Sequence, residues 1–175
     1  MKKLHSLSLH TLSAYSIDQL DVILQNPDHY TQDCVALAKE LLIDRLVKWR
    51  ESNERKVSTL NTIIQKQGWF DFQMWNYDGW NLVVGGGHNL TYSHSLEITF
   101  SGTFFVSGFF QSWMSDTDTP VVIFLQGEKE KEIQRRYEVE KYHLLFQMRT
   151  EDYKNDIFIA ARSLSYETDP TKMIR

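Results

Sequence analysis

Between Gly68 and Trp69 the chain changes its period. Upstream, apolar residues recur in steps of three and four. Downstream, WFDFQMWNYDGWNLVVGGGHNLTYSHSLEITFSGTFFVSGFF alternates and is crowded with aromatics. The register is plainest from Leu90 to Phe100. Leu90, Tyr92, His94, Leu96, Ile98 and Phe100 fall on one face; Thr91, Ser93, Ser95, Glu97 and Thr99 fall on the other. Strand side chains alternate with period two, so this is an antiparallel strand with one dry and one wet face. Asp78-Gly79 between apolar runs signals a hairpin, because glycine tolerates positive φ. Gly85-Gly86-Gly87 with His88-Asn89 reads as a second turn and Ser101-Gly102 as a third. The expected strands are Trp69–Tyr77, Trp80–Gly85, Leu90–Ser101 and Thr103–Phe110. The glycine triplet is no phosphate cradle, since a cradle needs a following helix and a strand-like run follows instead.

The upstream part is helical. Ser16 with Gln19 three residues on makes a capping box, and Ile17, Leu20 and Leu24 form a stripe that Asn26-Pro27 stops. Thr31 caps a second, long helix over about 31–66. Val35, Ala38, Leu42, Leu46, Trp49, Asn53, Val57, Leu60 and Ile64 keep helical spacing, and Asn53 alone breaks the apolar stripe. Before Ser16, Leu4–Leu12 is compatible with an extended lead-in or a short strand.

Beyond Phe110 the reading continues with a polar loop at 115–120, a strand at Val121–Gln126 and a charged turn or short helix at Gly127–Arg136. Strands at Tyr142–Met148 and Ile157–Tyr166 follow. The fold expected is α+β: an N-terminal helical pair, then a mainly antiparallel meander curled into a sandwich or partial barrel. Its divisions are a helical region at 1–67, a β-domain at 68–168 and a frayed tail at 169–175.

With 19 basic against 23 acidic residues the net charge is −4, which argues against nucleic acid or an anionic membrane as partner. Met1-Lys2-Lys3 is followed by no continuous apolar stretch, so no export signal is read. No run reaches the ~20 apolar residues of a membrane helix. One cysteine, Cys34, allows no intrachain disulfide and fits a reducing compartment. The expected setting is soluble and cytoplasmic.

Two stretches resemble known families. Tyr15, Leu20, Ile23, Leu24, Asn26-Pro27, Tyr30, Thr31, Ala38-Lys39, Leu42 and Arg45 lie in AYSIDQLDVILQNPDHYTQDCVALAKELLIDR. This segment resembles a short helical module that precedes unrelated domains in many bacterial proteins, and the resemblance implies no catalysis. YSHSLEITFSGTFFVSG resembles small bacterial β-domains, some of them immunity proteins that neutralise a toxin. That likeness implies a protein partner and carries over no functional residue.

The residues themselves offer little chemistry. His88 and His94 have no His-x-x-x-His spacing or cysteine pair to complete a metal site. Asp71, Asp116 and Asp118 lack the pattern of a calcium loop. No serine sits in a Gly-x-Ser-x-Gly elbow, and Cys34 lies on an apolar helix face. Glu97 points away from His94 in the alternation. No catalytic residue, metal or cofactor is therefore assigned. The informative set is aromatic, because strands 69–77 and 103–110 carry rings on both faces. Either helices cover the second face, or an exposed patch binds a partner. Partner-binding candidates are Trp75, Asp78, Trp80, Phe109, Trp113, Asp116 and Asp118, whose acidity suits a basic toxin domain. The function read is a non-enzymatic interaction protein of immunity type. The alternative is a ligand-binding or enzymatic β-domain, with Tyr92 and His94 lining a cavity.

The register makes a direct prediction. Leu96→Ala, Ile98→Ala and Phe100→Ala should each cost about 2–5 kcal/mol in denaturant titrations, and Thr99→Ala far less. A costly Thr99→Ala would shift the register by one residue.

Overall fold

The computed structural model describes residues 4–90 and 94–169. The chain divides into two compact units, Met1–Ser52 and Asn53–Arg175, with the boundary inside one long helix.

In the first unit, helix α1 (Leu9–Ser13) occupies part of the leucine-rich lead-in. It is neither strand nor extended there, because the Ser8 hydroxyl accepts from the Thr11 amide and starts a turn. Helix α2 (Ile17–Gln25) begins with the expected capping box: Gln19 N–H donates to Ser16 Oγ at 3.2 Å, and Ser16 N–H donates to Gln19 Oε1 at 2.7 Å. A 3₁₀ turn at Pro27–His29 follows. Helix α3 spans Gln32–Ile64, and Thr31 Oγ1 accepts from Cys34 N–H at 3.4 Å at its start. Leu12, Leu20, Ile23, Cys34, Ala38 and Leu42 form the core of this unit.

The second unit holds, among the described residues, nine strands in two antiparallel sheets. Five of them are β1 (Trp69–Tyr77), β2 (Asn81–Gly87), β3 (Leu96–Ser101), β5 (Trp113–Asp116) and β9 (Ser163–Thr168), ordered β5-β1-β2-β3-β9. The other four are β4 (Phe105–Ser107), β6 (Val122–Phe124), β7 (Leu144–Met148) and β8 (Ile157–Ala161), ordered β4-β8-β7-β6. The charged stretch is helix α4 (Gly127–Arg136). The sheets are layered as a sandwich rather than closed into a barrel. Phe100 of β3 meets Phe146 of β7 across the layers, with ring centroids 5.3 Å apart.

Three further expectations change. The run Ile157–Tyr166 is two strands in different sheets. The chain turns at Arg162, whose N–H donates to Ser101 O at 2.9 Å. Gly102 lies opposite with φ +63, and a Cβ there would sit 2.9 Å from Arg162 Cγ. The two strand pairs change sheets together at this corner, where only glycine leaves room.

The glycine triplet is likewise strand rather than turn. Gly85, Gly86 and Gly87 pair with Gln73, Phe72 and Asp71. A Cβ on Gly86 would come within 2.7 Å of Phe70 Cε1 and 2.9 Å of Phe72 Cε1. The glycines make space for rings.

His94 is the third change. It lies before β3 and does not share the face of Leu96, Ile98 and Phe100. Its Nε2 donates to Glu97 Oε1 at 2.6 Å, so Glu97 points toward it. The alternation fails because the extended run begins only at Leu96.

Asn53, the break in the stripe, has a purpose. Its Oδ1 accepts from Leu164 N–H at 2.9 Å, on the outer strand β9. Two turns on, Asn61 Oδ1 accepts from Val121 N–H (2.9 Å) and Val122 N–H (3.0 Å), and its Nδ2 donates to Val122 O at 2.6 Å. Val57, Leu60 and Ile64 are buried on the same stretch of helix. One helix thus supplies hydrogen bonds to an outer strand of each sheet, which would otherwise bury unpaired backbone groups.

Asn61→Ala should therefore cost well beyond an ordinary surface change, about 2–4 kcal/mol in chemical denaturation, since it orphans several buried groups. The exposed neighbour Thr62→Ala should be near neutral. Equal effects would refute the edge-capping role.

Candidate functional site

The site begins with an irregularity in β1. Met74 pairs with Val84 and Asn76 with Val83, so Trp75 is an extra residue and the strand is bulged there. Without the bulge Met74 and Tyr77, three apart, would point to opposite faces. With it, Tyr77 opposes Leu82 and joins Met74 on one face. These three residues form one wall of a cleft of about 280 Å³. Thr103, Phe104, Phe105, Val106, Gly108 and Phe110 form the rest of it. Phe110 is 87% exposed at the mouth, and Tyr77 and Phe104 are also exposed. A large apolar side chain held in water is the informative exception on a protein surface.

The Asp78-Gly79 turn stands beside this cleft. Asp78 Oδ1 accepts from Trp80 N–H at 2.8 Å and from Asn81 N–H at 2.6 Å. Its Oδ2 accepts from Asn81 Nδ2 at 3.0 Å. These bonds, the Asn81 amide first, hold the carboxyl below the usual aspartate range. Trp80 is exposed with the Arg162 guanidinium 6.0 Å from its ring, and its carbonyl accepts from Thr103 N–H.

The candidate residues do not form one surface. Asp78 and Trp80 lie in the turn that follows Tyr77, beside the cleft and outside its lining. Phe109 stacks on Tyr153, with centroids 3.8 Å apart. Trp75 is half-buried and packs its ring 4.6 Å from that of His94. Trp113 is 1% exposed and stacks on Phe72; it belongs to the core, because β5 turns it inward beside β1. Asp116 pairs with Trp69 at the far end of β1, and its Oδ1 accepts from Asp118 N–H. Eight strand steps separate Trp69 from Tyr77, roughly 26 Å, so the Asp116–Asp118 loop is remote from the cleft. Near that end Asp71 has its carboxyl pushed up, first by partial burial and then by the charge of Asp152.

His94 lines no part of the cleft; it is buried with Glu97. Tyr92 lies outside the described residues. Tyr77, Phe104 and Phe110 lie in the aromatic runs 69–77 and 103–110 that the sequence marks, but they are not among its named partner residues. The bulge that gathers them leaves no mark in the periodicity. Among the described residues, no group of three or more His, Cys, Asp or Glu is placed to hold a metal, and no helix is long and apolar enough to cross a membrane. No family model, curated protein or solved structure matches the chain, and the two resemblances rest on the residues quoted for them.

The depressed Asp78 pKa has a definite sign. A carboxylate favoured by the fold contributes stability above its unfolded pKa and loses it as pH falls through the folded value. The amide resonances of Trp80 and Asn81 should therefore titrate together, with a midpoint below the ordinary aspartate range. A midpoint at the ordinary value would mean that the turn bonds do not form in solution.

Proposed function

We propose that this chain is a non-enzymatic binding protein that engages a protein partner at the aromatic cleft. The specific form is an immunity-type inhibitor of a basic toxin domain acting in the bacterial cytoplasm. The observation that carries the binding reading is Phe110 standing in solvent at the mouth of an apolar cleft. Aromatic anchors of this kind dominate binding energy at protein interfaces. Asp78 adds a carboxylate at one side, which suits a cationic group flanking an anchor.

The small-ligand alternative is less well supported. Ligand sites usually enclose about 300–1,000 Å³ with several convergent polar groups. This cleft is open and smaller, and its polar side chains are those of Thr103 and Tyr77.

Co-expression with the toxin domain encoded nearest to this chain's gene tests the specific reading. The chain should restore growth and bind the purified domain. Phe110→Ala should weaken that binding by about thirtyfold, the effect of a ~2 kcal/mol anchor, with its melting curve unchanged. Absence of protection contradicts the immunity role. Protection that Phe110→Ala leaves intact removes the cleft from it.

A further inference from the structure

The two sheets have four edges, and on three of them the chain hydrogen-bonds at least one outward backbone group. At β9, Leu164 N–H is taken by Asn53. At β6, Val122 is held through both backbone groups by Asn61. At β5, Met114 N–H donates to Asp152 Oδ2 at 2.6 Å and Met114 O accepts from Glu151 N–H at 3.0 Å. The fourth edge is β4, and among the described residues no strand pairs on its outer side.

The register shows which groups face outward there. Leu125 N–H donates to Leu145 O, and Arg149 N–H to Val121 O, so Leu145 turns its backbone toward β6. Ala160 opposes Leu145 and therefore turns its own backbone away, toward β4. Phe104 N–H donates to Ala160 O at 2.8 Å, as this requires. Phe105 opposes Ala160 and Ser107 opposes Phe158, so those two residues face β8. Val106 between them presents its N–H and C=O to the open side. Thr103, Phe104, Phe105 and Val106 all line the cleft. Phe104 and Phe105 both meet Ala160, a local irregularity that breaks the alternation there.

Exposed edges are ordinarily protected by charge, proline or a covering element. From Thr103 to Ser112 the sequence is TFFVSGFFQS, without a charge or a proline. The strand itself therefore contributes no charge along this edge.

Resting on the binding reading above, we infer that the partner docks by strand addition. An uncharged extended segment of its chain pairs with β4 through Val106 and seats one bulky apolar side chain in the cleft.

Peptides selected from a displayed random twelve-residue library on the intact chain test this. Val106→Pro removes the outward N–H and leaves the β8 ladder, a position at which an edge strand tolerates proline. Selected peptides should bind Val106→Pro at least about tenfold more weakly, roughly the loss of one good hydrogen bond. They should bind Val106→Ala nearly as wild type. In the wild-type chain they should slow exchange of the Val106 amide, a readout independent of whether the proline variant folds. Unchanged exchange together with binding lost in Phe110→Ala would refute strand addition and leave the cleft reading standing. Binding insensitive to every substitution, or no peptide selected, would remove both. A concentration-dependent dimer of the free chain, abolished by Val106→Pro, would assign the edge to a second copy and overturn the proposal.

Discussion

The second unit depends on two side-chain amides. Asn53 and Asn61 stand on one helix and hydrogen-bond the outer strands of two different sheets. Outer strands carry unpaired backbone groups, and burial of such groups without partners is costly. Asparagine offers an acceptor and two donors on a short stem, so it imitates the backbone it replaces. The apolar residues Val57, Leu60 and Ile64 supply the burial, and the two amides supply the direction. A leucine in place of Asn53 would continue the stripe and leave β9 uncapped.

The same accounting makes β4 stand out. The loop at Glu151–Asp152 caps Met114 of β5, as the helix caps Val122 of β6 and Leu164 of β9. At β4 the chain provides no such group among the described residues, and the bulge at Trp75 opens an apolar cleft beside it. The corner at Gly102 and Arg162 brings β4 to this place, since it carries the chain from β3 in one sheet to β4 in the other. Fold and candidate site thus share one cause: the strands change sheets at a glycine, beside an edge on which no strand pairs among the described residues.

Local chemistry was legible in the sequence. The capping box at Ser16, the cap at Thr31, the strand Trp69–Tyr77 and the Asp78-Gly79 turn all follow from residue types at short spacing. What failed was set by partners distant in sequence. Gly85–Gly87 looks like a turn until Phe70 and Phe72 are placed over Gly86. Ile157–Tyr166 looks like one strand until Gly102 meets Arg162. His94 looks like a member of the alternating face until its imidazole reaches Glu97. Trp113 and Trp80 are indistinguishable by composition, yet one is core and the other exposed. For the site, Asp78 and Trp80 were readable from the turn. Tyr77 required the bulge, and the separation of Asp116 and Asp118 required the strand order.

Amide hydrogen exchange in the free chain tests the account most directly. Val122 and Leu164 both lie on outer strands, and their N–H groups are held by Asn61 and Asn53. Val106 lies on the open edge. The account predicts slow exchange at Val122 and Leu164 and fast exchange at Val106, because protection follows the hydrogen bond and not strand membership. Val106 protected as strongly as Val122 would show that this edge is already closed and would contradict the account.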